Sequence, residues 1–278
     1  MEKIAILTDS ASNIREDLEK GIFVVPLYVN FENESKKDLV EISPKELFAR
    51  IDEKPYTSAP SIDDYLEKIK LIRSMGYSKI LAIGVSQSLS GSYNVMRLAL
   101  ENEDMDYVLI DSKNITMTEG LLVKYAQNLV AEGVNLDKLR EIIKEKIKDL
   151  RLLASVSDLK YLIRGGRLSA VEGAIGGTFR INPVLTLDEN GSIANFKSVV
   201  GKKRAINFIV KETRKALENV DNYYLALAYG EDPEDIREIK EKLGDLISKA
   251  SLYIESPVTA VLGNHSGPST YVVSFLKI

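Results

Sequence analysis

The sequence predicts an α/β fold in two lobes: a doubly wound parallel α/β/α lobe over residues 1–150 and an α+β lobe over residues 151–278. Three observations carry this. A chain of 278 residues suits two domains better than one. The first half alternates short apolar runs with amphipathic helical patterns, the mark of βαβ units. The second half sets a turn-forming tetrapeptide between two apolar runs, the mark of antiparallel pairing.

In the first half, strand-like runs occupy residues 3–8, 22–29, 79–85 and 107–110. Ser43-Pro44-Lys45-Glu46 offers a cap serine, a proline at the first helical position and a glutamate three residues after the cap, a capping box. Ser61-Ile62-Asp63-Asp64 opens the next helix similarly, with Ile62, Tyr65, Leu66, Ile69 and Ile72 on one face. A shorter helical pattern covers 95–100. A strong one covers 135–150, with Leu136, Leu139, Ile142, Ile143, Ile147 and Leu150 in one stripe. The lobe junction is expected at its end.

The second half opens with a strand at 152–156. A glycine-rich stretch follows, with Gly165, Gly166, Gly173, Gly176 and Gly177. Runs at 183–187 and 193–199 flank Asp188-Glu189-Asn190-Gly191, a hairpin turn. Helices near 204–217 and 233–246 separate strands at 223–228, 252–255 and 270–275.

Composition narrows the function. The chain is 45% hydrophobic and 28% charged, enough for a sizeable core. With 37 basic and 41 acidic side chains it carries a net charge of −4, which argues against nucleic acid as a partner. It has no cysteine and a single histidine, His265. Disulfides, thiolate chemistry, cysteine-based zinc sites, iron–sulfur clusters and multi-histidine metal sites are thereby excluded, and no metal or cofactor is expected. No secretory signal or membrane-length apolar run is visible, so the cytoplasm is the expected location.

Four segments could carry chemistry. Thr57-Ser58-Ala59-Pro60-Ser61 is a hydroxyl-rich loop before a capped helix, and a helix N-terminus favours an anion. Gly84-Val85-Ser86-Gln87-Ser88-Leu89-Ser90-Gly91-Ser92-Tyr93 follows an apolar strand, where ligands of open α/β sheets sit. Its serines donate hydrogen bonds and its small residues admit a ligand closely. It lacks Lys and Arg, so it suits a carboxylate better than a triphosphate. Gly165-Gly166-Arg167 ends a short helix and fixes an arginine in a turn, well placed for an oxyanion. Gly263-Asn264-His265-Ser266-Gly267-Pro268-Ser269 reads as a polar turn before the last strand. Taken singly, each also reads as a cap, a βα turn or a solvated loop. Thr8-Asp9-Ser10 and Asp111-Ser112 read as caps that shape the crevice.

Together these segments resemble the DegV family of bacterial fatty-acid-binding proteins, over essentially the whole chain. The resemblance rests on Thr8-Asp9-Ser10, Pro26-Leu27, Thr57 to Ser61, Leu89-Ser90-Gly91, Asp111-Ser112, Gly165-Gly166-Arg167, Asn182-Pro183, and His265 with Gly267-Pro268. It implies a DegV-like fold with a long-chain, palmitate-like fatty acid between the lobes. It implies that Thr57 and Ser90 hydrogen-bond the carboxylate, with Ser58, Gly91, Ser92, Arg167 and His265 around the same mouth. It further implies a non-catalytic binder in lipid transport or fatty acid metabolism that hands its ligand to a fatty acid kinase. Contact with a membrane would be at most a transient surface encounter. The chain departs from the family pattern at Ser92, where threonine is usual, and at Ser269, where glycine is usual. After Phe31 it reads Glu34-Ser35-Lys36-Lys37-Asp38 instead of a Tyr-x-Asp-Gly-like stretch.

The chemistry is consistent. Burial is worth roughly 0.8 kcal/mol per methylene, so a palmitate-length tail offers on the order of 10 kcal/mol before the cost of association. The head group must then be paired, because a buried unpaired ion is very costly. The enzymatic alternative is a serine hydrolase using Ser86 or Ser90 with His265 and Asp158. Gly84-Val85-Ser86-Gln87-Ser88 nearly matches a nucleophile elbow, but the fifth position is Ser88, not glycine.

Overall fold

The computed structural model describes residues 3–167 and 181–278. The predicted Gly173, Gly176 and Gly177 of the glycine-rich stretch lie outside them.

Strands β1 (Ile4–Asp9), β2 (Ile22–Val25), β6 (Lys79–Gly84) and β7 (Asp106–Asp111) form one parallel sheet in the order β2-β1-β6-β7. Alternation along β1 explains its two covers. Ala5 and Leu7 pack with Tyr65, Ile69 and Ile72 of α2 (Ile62–Ser74) and Met96 and Ala99 of α3 (Ser92–Glu101). Ile4 and Ile6 pack with Leu121 and Leu122 of α4 (Thr116–Ala131) and Leu139 and Ile143 of α5 (Leu136–Lys146).

A small antiparallel sheet of β3 (Tyr28–Asn30), β4 (Ser35–Lys37) and β5 (Tyr56–Ser58), ordered β4-β3-β5, branches off after β2. The predicted single run 22–29 therefore divides. Pro26 has no N–H for a ladder, and the Leu27 N–H donates to Ser10 Oγ at 3.0 Å instead of to a strand. Helix α1 (Pro44–Ala49) packs Leu47 and Phe48 against Val261. Its capping box is half made. Ser43 accepts from the Glu46 N–H, but the Glu46 carboxylate turns to Lys36 at 2.5 Å. The box at Ser61 and Asp64 is complete. Ile62, expected on the buried face of α2, is 38% exposed because it lies in the first turn, ahead of the packed stretch.

The third sheet is mixed. Strands β8 (Leu150–Val156), β9 (Ile181–Leu187), β10 (Ile193–Val200), β11 (Tyr223–Tyr229), β12 (Leu252–Pro257) and β13 (Thr270–Lys277) lie in the order β10-β9-β8-β13-β11-β12. All neighbours are antiparallel, as the α+β reading expects, except β11 and β12, which run parallel. One face carries α7 (Lys202–Leu217) and α8 (Glu234–Lys242). The predicted helix 233–246 breaks at Leu243, which leaves helical dihedrals, and α9 (Gly244–Lys249) follows. The predicted helix 135–150 likewise stops at Lys146. A one-turn 3-10 helix, Ile147–Asp149, follows, and Leu150 already belongs to β8. Short helices α6 (Lys160–Arg164) and α10 (Ala260–Ser266) complete the chain.

Helix α4 touches two sheets. Thr118 hydrogen-bonds Ser274 of β13 at 2.7 Å, and Asn128 donates to the Tyr224 hydroxyl of β11 at 2.6 Å. Among the described residues no helix is long and apolar enough to cross a membrane.

Candidate functional site

A cavity lies between the carboxyl end of the parallel sheet and one face of the mixed sheet. Pairing explains its floor: Leu152, Ala154 and Val156 alternate along β8, opposite Val272 and Thr270 of β13, with Leu185 of β9 beside them. Leu89, Ile115, Val258 and Leu262 contribute to the roof. The cavity has a volume of about 120 Å³, where one water needs roughly 10–15 Å³. It is a built apolar chamber, not a packing defect.

Polar groups gather at one end. Thr57, on β5, places its Oγ1 2.8 Å from His265 Nε2 on α10. Ser90 follows β6, and its Oγ accepts the Ser92 N–H at 3.2 Å. That bond uses a lone pair and leaves the Ser90 proton available. Arg167, just beyond α6, donates from Nε to the Leu89 carbonyl at 3.2 Å and from Nη1 to the Gly165 carbonyl. All four line the cavity. Gly165 must be glycine for this arrangement. A Cβ there would stand 2.1 Å from His265 Nδ1.

The electrostatics favour an anion. Arg167 is half-buried, and burial pulls its pKa below the ordinary guanidinium value. No carboxylate among the described residues pairs with it. His265 is held down to about 4, first by burial and then by the charges of Arg167 and Arg164. Its ring is therefore neutral at pH 7. In the tautomer with the proton on Nε2, the ring donates to Thr57 Oγ1, and the Thr57 proton is left to donate to a ligand.

The other predicted residues go elsewhere. Ser58 is exposed, and its Oγ accepts from Asn30 at 3.1 Å. Gly91 is exposed with open space over its Cα, so close approach of a ligand does not require glycine there. Ser92 is fully buried. It donates to Asp9 at 2.8 Å and pairs with the Tyr65 hydroxyl at 2.7 Å. None of these three lines the cavity. The loop serines Ser86 and Ser88 donate to the carbonyls of Gly191 and Asn190 at the β9–β10 hairpin tip, at 2.9 and 2.8 Å. A Cβ on Gly191 would meet Ser86 Oγ at 2.3 Å, so that glycine sets the fit. Two segments expected as loops are regular: Thr57 and Ser58 sit in a strand, and His265 sits in a helix capped by Thr259.

The hydrolase alternative finds no triad. Ser86 is locked against the hairpin, His265 Nε2 is taken by Thr57, and the Asp158 carboxylate is held by Lys160. No group of three metal-ligating side chains converges among the described residues. Sequence reasoning missed Thr116 and the aliphatic floor, and gave Ser266 no role beyond its place in the last segment; the hydroxyls of Thr116 and Ser266 line the cavity, buried and without partners among the described residues. The period-two spacing of 152, 154 and 156 was the available signal for the floor.

Fold and site thus define a two-lobed α/β protein with an aliphatic cavity and a cationic polar mouth. The chain belongs to the DegV family, whose model, described as that of an uncharacterised protein, matches residues 3–277. It is 33% identical to a DegV domain-containing protein of Caldanaerobacter subterraneus subsp. tengcongensis, covering 99% of each chain. Its fold matches a DegV family protein of Thermus thermophilus described by its fatty acid binding, at TM-score 0.91 and 27% identity, covering 99% of this chain and 100% of that one. It also matches a DegV lipid binding protein of Thermotoga maritima at TM-score 0.84 and 26% identity, covering 99% and 98%.

Proposed function

We propose that this protein binds one long-chain fatty acid, palmitate-like in length, between lobes of residues 1–150 and 151–278, and does not itself catalyse a reaction. The acyl chain lies on the β8–β13 floor. The carboxylate takes hydrogen bonds from Thr57 and Ser90 and charge from Arg167, with His265 orienting Thr57. One observation carries the reading: a half-buried arginine, with no carboxylate partner among the described residues, stands at the polar end of an aliphatic chamber. Two related proteins of the same fold, described as fatty acid and lipid binding, support it.

On this reading the protein is a cytoplasmic carrier that presents the carboxylate to a fatty acid kinase. The head group sits at the mouth, where a second protein can reach it, while the tail stays shielded. Native mass spectrometry of protein taken directly from its expression host tests the binding. A bound acid is expected in the wild type and absent in the folded Thr57→Ala/Ser90→Ala double variant. Wild-type occupancy in that variant refutes the carboxylate assignment. The kinase reading is tested by whether a bacterial fatty acid kinase catalytic subunit phosphorylates the bound acid only in this protein's presence.

A further inference from the structure

The cavity has a far end as well as a mouth. Arg167, His265 and Ser266 gather near Val156 and Thr270, since the Thr270 hydroxyl donates to the Ser266 carbonyl at 2.7 Å. From there the floor runs along β8 to Leu152. Four residues of strand span about 13 Å, shorter than an extended sixteen-carbon chain. Leu187 of β9, facing Ile193 across the hairpin, closes the same end. Beyond lies a second hollow. Leu152, Thr186 and Leu187 line it as well as the cavity. Leu109, Ile110, Ile147 and Leu150 line it, together with the charged Lys144, Lys148, Arg151, Asp111, Asp188 and Glu189.

We propose that Leu152 and Leu187 form a thin partition at the far end of the cavity, and that the methyl end of a longer acyl chain passes this partition into the outer hollow. The partition then sets which chain lengths are held best. The inference rests on the fatty-acid reading above and adds a specificity determinant to it. The hollow offers a methyl end the aliphatic side chains of Leu109, Ile110, Ile147 and Leu150, and the lysine stems extend that apolar patch while their ammonium groups stay in water. The partition is positioned by the protein, not by the ligand. The hairpin that carries Leu187 is held at its tip by Ser86, Ser88 and Lys113, the last donating to the Glu189 carbonyl at 2.8 Å.

The test is competition binding of saturated acids from myristic to behenic by wild type, Leu187→Ala and Leu187→Phe. Leu187→Ala is expected to move the preference to longer acids and Leu187→Phe to shorter ones. Each methylene gained or lost from burial changes relative affinity about fourfold. In the wild type, stearic acid bearing a terminal diazirine is expected to cross-link to residues 109–110 or 147–151. This second measurement needs no variant to fold. Unchanged chain preference in both variants, with binding kept, overturns the partition, and so does cross-linking confined to α10 and β5. Failure of the wild type to bind any acid overturns the fatty-acid reading and the partition with it.

Discussion

Ser90 and Ser92 sit two residues apart in one loop, yet they serve opposite regions of the molecule. Ser90 opens on the cavity, beside Arg167 and His265. Ser92 is sealed behind it in a polar knot with Asp9 and Tyr65, below which Thr8 donates to Glu119 at 3.2 Å. The knot is acidic and fully buried. Burial raises Asp9 to about 6 and Glu119 well above its ordinary range, and Asp9 raises Glu119 further. The mouth is cationic, and burial there depresses His265 and Arg167. The lesson is that hydroxyls of one motif divide into ligand donors and core partners according to which side of a sheet end they face.

The two regions should respond to pH in opposite directions. His265 has a folded pKa of about 4 against 6.5 in its ordinary state. The unfolded chain binds the extra proton between those values, so the His265 contribution is complete above 6.5 and lost as pH falls toward 4. Asp9, and likewise Asp38 (raised to about 6 by burial), contribute below 3.8 and lose that contribution as pH rises through 6. Urea unfolding of wild type against His265→Gln is expected to show a difference that grows with pH across 4 to 6.5, by about 3 kcal/mol. A difference flat in pH would break the contrast.

Removing the charge at the mouth comes next. Arg167→Ala should weaken fatty acid binding roughly ten- to hundredfold, the loss of a charge-assisted bond of about 1.5–3 kcal/mol, with little change in unfolding free energy. Isothermal titration with palmitate checks the first and urea titration the second. The paired serines sharpen the comparison further. Ser92→Ala strips partners from Asp9 and Tyr65 and should lower stability by about 1–3 kcal/mol, while palmitate affinity holds. Ser90→Ala should cost about 1 kcal/mol of affinity, with stability unchanged. Exchange of these two phenotypes would mean that the loop faces the other way. The smallest expected signal is spectroscopic. His265 is the only histidine, so its ring can be followed alone by NMR. Bound carboxylate should raise its pKa, because an anion offsets the repulsion from Arg167 and Arg164.

Much of this was legible in the sequence. The strands of the parallel sheet, the hairpin at residues 188–191 and the cap at Ser61 declare themselves through short continuous apolar runs, turn chemistry and a complete capping box. Thr57, Ser90, Arg167 and His265 were all named, and all four line the cavity. Helix α4 was not seen. From Thr116 to Val123 every side of it is buried, so it shows no polar stripe to betray a helical period. The small sheet was missed because β3, β4 and β5 are three residues each, too short to establish alternation. His265 was placed in a turn because Gly263, Asn264 and Gly267 read as breakers. Tight packing overrides that reading: a Cβ on Gly263 would meet the Phe48 ring at 2.8 Å.

The double allegiance of α4 bears on how the chain can be divided. Ile4, Leu121, Leu139, Tyr224 and Leu276 belong to one continuous apolar cluster that reaches from the first strand to the last. A cut after residue 150 would expose the apolar side chains that α4 sets against the mixed sheet and uncover the face of β11 and β13 that packs on it. The halves, expressed separately, should aggregate or stay unfolded, and mixing them should restore structure.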